Sequence, residues 1–272
     1  MVRACSLRLL LTLLLLGRLA GQDAGQGAVQ DPATPEATQS EDDLRPGERE
    51  VSIKTFGSNL LSDQKRIWTF PAKVATGKHV LPTVAVLGIT GALVPADPNV
   101  ARFVRRNSTS FDDFNNALVE RNTTTATLLT PAAFYVAGLI LKKPYLKRTG
   151  LLAAEAWINT EVANVALRVS FRRLRPLDVP PGGNFSDTWF KTTSNPMGAA
   201  GSFPSGHTAW AFAVATVVAR RHGNHKWVPI LAYSLATLGG ISRISSNNHF
   251  VADTAFGAAL GYAMGRFVVL RE

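Results

Sequence analysis

The residue types that could do chemistry gather in the second half of a 272-residue chain, in three short segments. One is Arg168, six intervening residues, then Arg175-Pro176. The next is Pro204-Ser205-Gly206-His207. The last is Ser242-Arg243, five intervening residues, His249, three more, then Asp253. Three guanidinium groups, two imidazoles and a carboxylate make an anion site with acid–base groups attached. A phosphoryl group in transfer spreads negative charge over its equatorial oxygens, and Arg168, Arg175 and Arg243 can hold those oxygens with forked, permanently charged donors. Ser205 is placed to cap a helix, and Gly206 lets a ligand approach a helix N-terminus, where free N–H groups favour an oxyanion. His249 and Asp253 are four apart, so on a helix they share a face. The carboxylate would then accept one imidazole N–H and leave the other ring nitrogen as a nucleophile toward phosphorus. His207 would protonate the departing oxygen. This chemistry is a covalent phosphohistidine route that requires no metal.

Helices must position these groups. Apolar runs fall at 80–94, 126–141, 151–167, 208–219, 227–241 and 251–270, with a more polar helix expected near 110–120. No stretch alternates with strand period, so the expected fold is all-α, a bundle of about six core helices. In a bundle of alternating direction, the segments after residue 167, before 208 and after 241 fall at one end, where the three motifs would meet. Gly88, Gly91, Gly257, Gly261 and Gly265 suit close helix crossings. Pro82 fits only a first helical turn. The loop 177–203 holds Phe185, Trp189, Phe190 and Met197, either as a flap or as packed aromatics. His222 and His225 lack the neighbours of a metal site and read as exposed turn residues, and His79 gets no role. Glu155 and Glu161 are expected to face partner helices.

The N-terminal part is of another kind. Arg3 and Arg8, the leucine-rich run 9–16 and the small residues to Gly21 have the layout of a signal peptide, assigned to 1–21. Cys5, the single cysteine, lies within it. Residues 22–50 are acidic, poor in large apolar side chains, and read as a disordered linker. Residues 51–75 form an amphipathic extension and 76–270 the main domain. The chain's net charge is +10, and the part beyond residue 50, with 24 basic and 11 acidic residues, carries +13, as an anionic substrate or lipid surface would want. Its basic residues flank apolar helices rather than interleave with aromatics, which excludes nucleic acid as the partner. A mean hydropathy of +0.08 and short apolar runs favour an exported, periplasmic domain resting on a membrane over a six-span protein.

The three segments resemble the signature of the type 2 phosphatidic acid phosphatase (PAP2) superfamily, which also includes bacterial acid phosphatases and vanadium haloperoxidases. That signature reads Lys, six residues, Arg-Pro; Pro-Ser-Gly-His; and Ser-Arg, five residues, His, three residues, Asp. The second and third parts match in full, and the first departs at Arg168, which stands where the signature has lysine. The resemblance covers about residues 125–270. It implies His249 as nucleophile, Asp253 as its orienter and His207 as general acid. Arg168, Arg175, Ser205, Gly206 and Arg243 become phosphate ligands. The function expected is metal-independent hydrolysis of a lipid phosphate or related phosphoester, with no cofactor. Alternatives on the same fold are a lipid phosphotransferase and a haloperoxidase holding vanadate in the same cage. A non-enzymatic lipid-surface protein is the reading of a different class.

Overall fold

The computed structural model describes residues 49–118, 120–191 and 201–271; the expected signal peptide, Met197 and most of the expected linker lie outside these. The described residues form ten α-helices, with no strand among them. They are α1 (Ile53–Trp68), α2 (Phe70–Ala75), α3 (Val80–Leu93), α4 (Asp97–Arg106), α5 (Asp112–Ala117), α6 (Glu120–Ile140), α7 (Pro144–Phe171), α8 (Gly206–Arg221), α9 (Trp227–Ser245) and α10 (Val251–Ala263), which ends in a π-helical turn, Met264–Val269. The helices that hydropathy locates are present, but α6 and α7 are longer than their apolar runs. Proline at the first turn starts α7, and the basic residues after it are good helix formers that a hydropathy pattern does not register. The polar stretch after residue 96 holds two helices rather than the expected one, with Pro98 opening the first.

The centre of the bundle is α8, packed on α7, α9 and α10. Leu152, Ala153 and Ala156 of α7 close on Ala213, Val214 and Val217 of α8. Small side chains let these helices approach closely. A Cβ at Gly261 would lie 2.0 Å from the Ala209 carbonyl oxygen, and one at Gly257 would lie 2.6 Å from that of Ser205. The glycines of α10 therefore bring its N-terminal turn against the start of α8, where two of the motifs lie. Gly88 and Gly91 do not serve this purpose: a Cβ on either would meet open space.

α1 docks on α7 through buried polar groups. Arg49 donates to both carboxylate oxygens of Asp63, Nη1 to Oδ1 at 2.7 Å, and also to Glu155. Asn159 donates to Asp63 at 3.0 Å. Arg49, within the stretch whose composition reads as linker, here neutralises two buried carboxylates. Glu155 faces a partner helix, as expected. His222 is packed rather than exposed: its ring lies against Phe134 and Tyr145, with Nε2 3.4 Å from the Thr149 hydroxyl. Of the loop aromatics, Phe185 is buried with Phe250, Trp189 packs on Phe171 and Phe203, and Phe190 is exposed.

Parts of the outer surface are apolar. Leu81, Val84, Leu87 and Ile89 of α3 are exposed, as are Leu129, Val136 and Ile140 of α6 and Ile230, Leu235 and Leu238 of α9. Two helical stretches, Val80–Arg106 and Ser108–Ile140, are long and apolar enough by length and composition to cross a membrane.

Candidate active site

Three chain segments meet at one end of the bundle: the end of α7 with the residues after it, the start of α8, and the turn between α9 and α10. Arg168 lies in the last turn of α7. Its side chain is held between two glycines. A Cβ at Gly201 would lie 2.8 Å from its Cγ, and one at Gly206 would lie 2.7 Å from its Nη2. Gly201 also has a φ of +114°, which a side chain would strain. The guanidinium is thereby set beside the first residue of α8, where unpaired backbone N–H groups and the partial positive charge of the helix end add to it. The Nε of Arg168 is buried and has no hydrogen-bond partner among the described residues.

Ser205 occupies the N-cap position of α8 and is fully buried. Its hydroxyl does not accept a first-turn N–H, as expected of a cap; it pairs with the Thr208 hydroxyl at 2.9 Å. Its backbone N–H is donated to the Asp253 carbonyl at 3.1 Å, which joins the start of α8 to α10. His207 follows in the first turn, half-buried, with its ring 4.9 Å from that of Trp210.

His249 is 3% exposed and stands in the turn before α10. Its N–H and that of Asn248 are donated to the Arg243 carbonyl, each at 3.0 Å. Arg243 thus shapes the turn through its backbone, while one Nη2 bond of its buried side chain goes to the Leu118 carbonyl at 3.2 Å. Arg175, half-buried, has Nη1 3.5 Å from Oδ1 of Asn248. The Nδ1 of His249 lies 2.7 Å from the Ser202 carbonyl oxygen. A carbonyl only accepts, so Nδ1 carries the proton and Nε2 keeps its lone pair. Burial holds the imidazole pKa well below the usual 6.5, helped by the charges of Arg175, Arg168 and His207 and opposed by the Ser202 carbonyl. These charges act on His249 only because all four side chains share one end of the bundle.

The direct His249–Asp253 bond expected from their spacing is not made. His249 precedes the helix, so the i, i+4 rule does not apply to it. The Asp253 carboxylate accepts the Phe250 N–H at 3.0 Å, the Arg173 Nη1 at 2.6 Å and the Ser202 hydroxyl. Arg173, 1% exposed, also reaches Asp97 through Nη2 at 2.7 Å and Thr188 through Nε at 3.2 Å. Its guanidinium lies over the rings of Phe250 and Trp189, 3.9 and 4.3 Å from their centroids. Asp97 in turn accepts the Ala252 N–H at 3.0 Å. Sequence reasoning missed Ser202, Arg173 and Asp97. Arg173 is masked by its run of basic neighbours, and nothing in the spacing of the other two marks them. Among the described residues, no three His, Cys, Asp or Glu side chains gather as a metal centre would.

The bundle thus ends in guanidinium groups, those of Arg168 and Arg175, gathered near the buried imidazole of His249. The family model of the PAP2 superfamily matches residues 149–271, a segment that holds all three motifs. A lipid A 1-phosphatase of Porphyromonas gingivalis is 46% identical over 68 residues, 25% of this chain and 15% of that protein. The match thus spans under a sixth of that relative's length. Among solved structures, a transmembrane PAP2-type phosphatidylglycerolphosphate phosphatase from Bacillus subtilis overlaps with a TM-score of 0.46 at 19% identity, over 68% of this chain and 92% of that one.

Proposed function

We propose that this chain is a membrane-associated phosphatase that removes the phosphoryl group from a lipid phosphate monoester. The observation that carries the reading is the state of His249: its Nδ1 is tied to a carbonyl, and its Nε2 has no hydrogen-bond partner among the described residues. Nε2 attacks phosphorus as the bond from phosphorus to the leaving oxygen breaks, and His207 gives that oxygen its proton. His207, now neutral, takes a proton from water, whose oxygen displaces the phosphoryl group from Nε2 and releases phosphate. Arg168, Arg175 and the N–H groups at the start of α8 hold the equatorial oxygens, joined by Ser205 and Arg243 as the family signature implies. Asp253 supports His249 without touching it. The groups needed for each step are on the chain, so the proposal includes no metal or organic cofactor.

Lipid as the substrate class is supported by the outer surface. Large apolar side chains on α3, α6 and α9 face outward, while small residues fill the helix crossings, which is the arrangement a bilayer favours. Lipid around α3 and α6 fits these faces better than a domain resting on a surface. The basic excess suits a phosphorylated head group.

The test is hydrolysis by the full chain, purified in detergent, of phosphatidic acid and of a water-soluble phosphomonoester, each with EDTA present. Phosphate release from the lipid is expected, and His249→Ala should abolish it. Inactivity on both substrates, or near-normal rates in His249→Ala, would refute the reading. Bromide oxidation by peroxide after vanadate loading is expected to be absent.

A further inference from the structure

The network behind His249 is a closed ring. The Ser202 N–H is donated to the Arg173 carbonyl at 2.7 Å. The Ser202 carbonyl accepts from His249 Nδ1 at 2.7 Å, and the Ser202 hydroxyl donates to Asp253. The other oxygen of Asp253 returns to Arg173 at 2.6 Å. Ser202 and Asp253 are fully buried and Arg173 nearly so. Such a ring has one arrangement that satisfies every donor and acceptor, because a buried polar group left unpaired is destabilising by more than the bond it lost. Asp97 closes the ring from behind. It takes the second arm of Arg173 and the Ala252 N–H, and so ties α4 to the first turn of α10.

We propose that Ser202 is the positioning residue of the nucleophile, and that Asp253 acts on His249 through it, with Arg173 and Asp97 locking the carboxylate in place. Ser202 fixes the imidazole as the Nδ1–H tautomer and aims Nε2 at the phosphate site. Asp253 has no oxygen bonded to the imidazole of His249. Its carboxylate holds the Ser202 hydroxyl and so holds the Ser202 carbonyl that accepts the imidazole proton. The second carboxylate, Asp97, leaves the group of Arg173, Asp97 and Asp253 with a net charge of −1 when ionised. That charge sits behind the ring that becomes cationic on phosphorylation, and favours that state. The carboxylate support familiar from Ser-His-Asp sites is here passed through a serine.

This inference rests on the phosphohistidine reading, and the test separates the two. Ser202→Ala removes the hydroxyl and keeps the carbonyl, a small change expected to leave the fold intact, as read by thermal melting. Arg173 is unsuitable for the test, because without it two buried carboxylates face each other. On phosphatidic acid in mixed micelles, Ser202→Ala should lower kcat by about 10- to 100-fold, the usual scale for a supporting group one bond removed from the chemistry. KM should stay within about twofold, since phosphate binding falls to the arginines. Asp253→Asn should behave alike, and the double variant should lose little more than the worse single one, because both cut the same path. Normal kcat in Ser202→Ala, or losses that multiply in the double variant, would overturn the relay while leaving the hydrolysis reading intact. A second readout needs no turnover. The 15N shifts of labelled histidine should show His249 as the Nδ1–H tautomer in the wild-type protein, and the Nε2–H form would overturn the relay even if no substrate were hydrolysed.

Discussion

Gly206 offers a way to move a phosphate-binding group by a known distance. A methyl group there would lie 2.7 Å from Nη2 of Arg168 and 2.8 Å from Nδ2 of Asn164, where ordinary contact begins at 3.4 Å. The Arg168 end is the part free to move, since its Cγ is confined by Gly201. In Gly206→Ala the guanidinium must therefore retreat by about 0.7 Å, the shortfall from ordinary contact. Misplacement of a catalytic or binding group by about 1 Å lowers rates by about 100-fold, so kcat/KM should fall by about 30- to 100-fold, or about 2–3 kcal/mol of transition-state stabilisation. The fold should not suffer, because alanine is the better helix former by up to about 1 kcal/mol. The assay is kcat/KM on phosphatidic acid beside a thermal melt, for Gly206→Ala alone and in an Arg168→Ala background. If the loss comes from displacing Arg168, Gly206→Ala has little further effect once that side chain is gone. Two results would refute the reasoning: activity within twofold of wild type, or the full loss repeated in the Arg168→Ala background. The second would mean that the methyl group obstructs the anion itself.

The remaining predictions concern charge. With its pKa held below 6.5 by burial and by Arg175, His249 stays neutral into mild acid, so the acidic limb of kcat/KM is expected below pH 6.5; a limb at or above that value would contradict the environment described. The sign for stability follows. Below pH 6.5 the unfolded chain binds a proton at this residue that the folded chain refuses, so this group lowers stability as the pH falls and is neutral above. Far from the site, Arg49→Ala leaves buried Asp63 and Glu155 without their main cation. A loss of about 3 kcal/mol is expected, read as a lowered melting temperature with kcat unchanged; an unchanged melting temperature would remove Arg49 from the fold's support.

How much of this could be read in the chain depends on the range of the interaction. Helical repeats are local, and apolar runs alone placed the bundle and the end at which Arg168, Arg175, His207 and His249 meet. Helix length was less legible, because the ends of α6 and α7 carry polar residues that a hydropathy pattern does not register. The ring behind His249 could not be read at all. Its side-chain bonds span 47, 51 and 80 residues, and the tie from Asp97 spans 155. Each depends on where α4, the end of α7 and the start of α10 cross. Local reasoning also misdirected, for a physical reason. As the third residue of α10, Asp253 turns its carboxylate back over the helix end to accept the Phe250 N–H, as a capping group does. A carboxylate so turned is offered to whatever stands beyond the helix end, and there stand Ser202 and Arg173. The rule that sets His and Asp on one face requires both to be inside the helix. The same capping that starts α10 at Val251 leaves His249 outside it, so the residue that begins the helix is kept from touching the imidazole it supports.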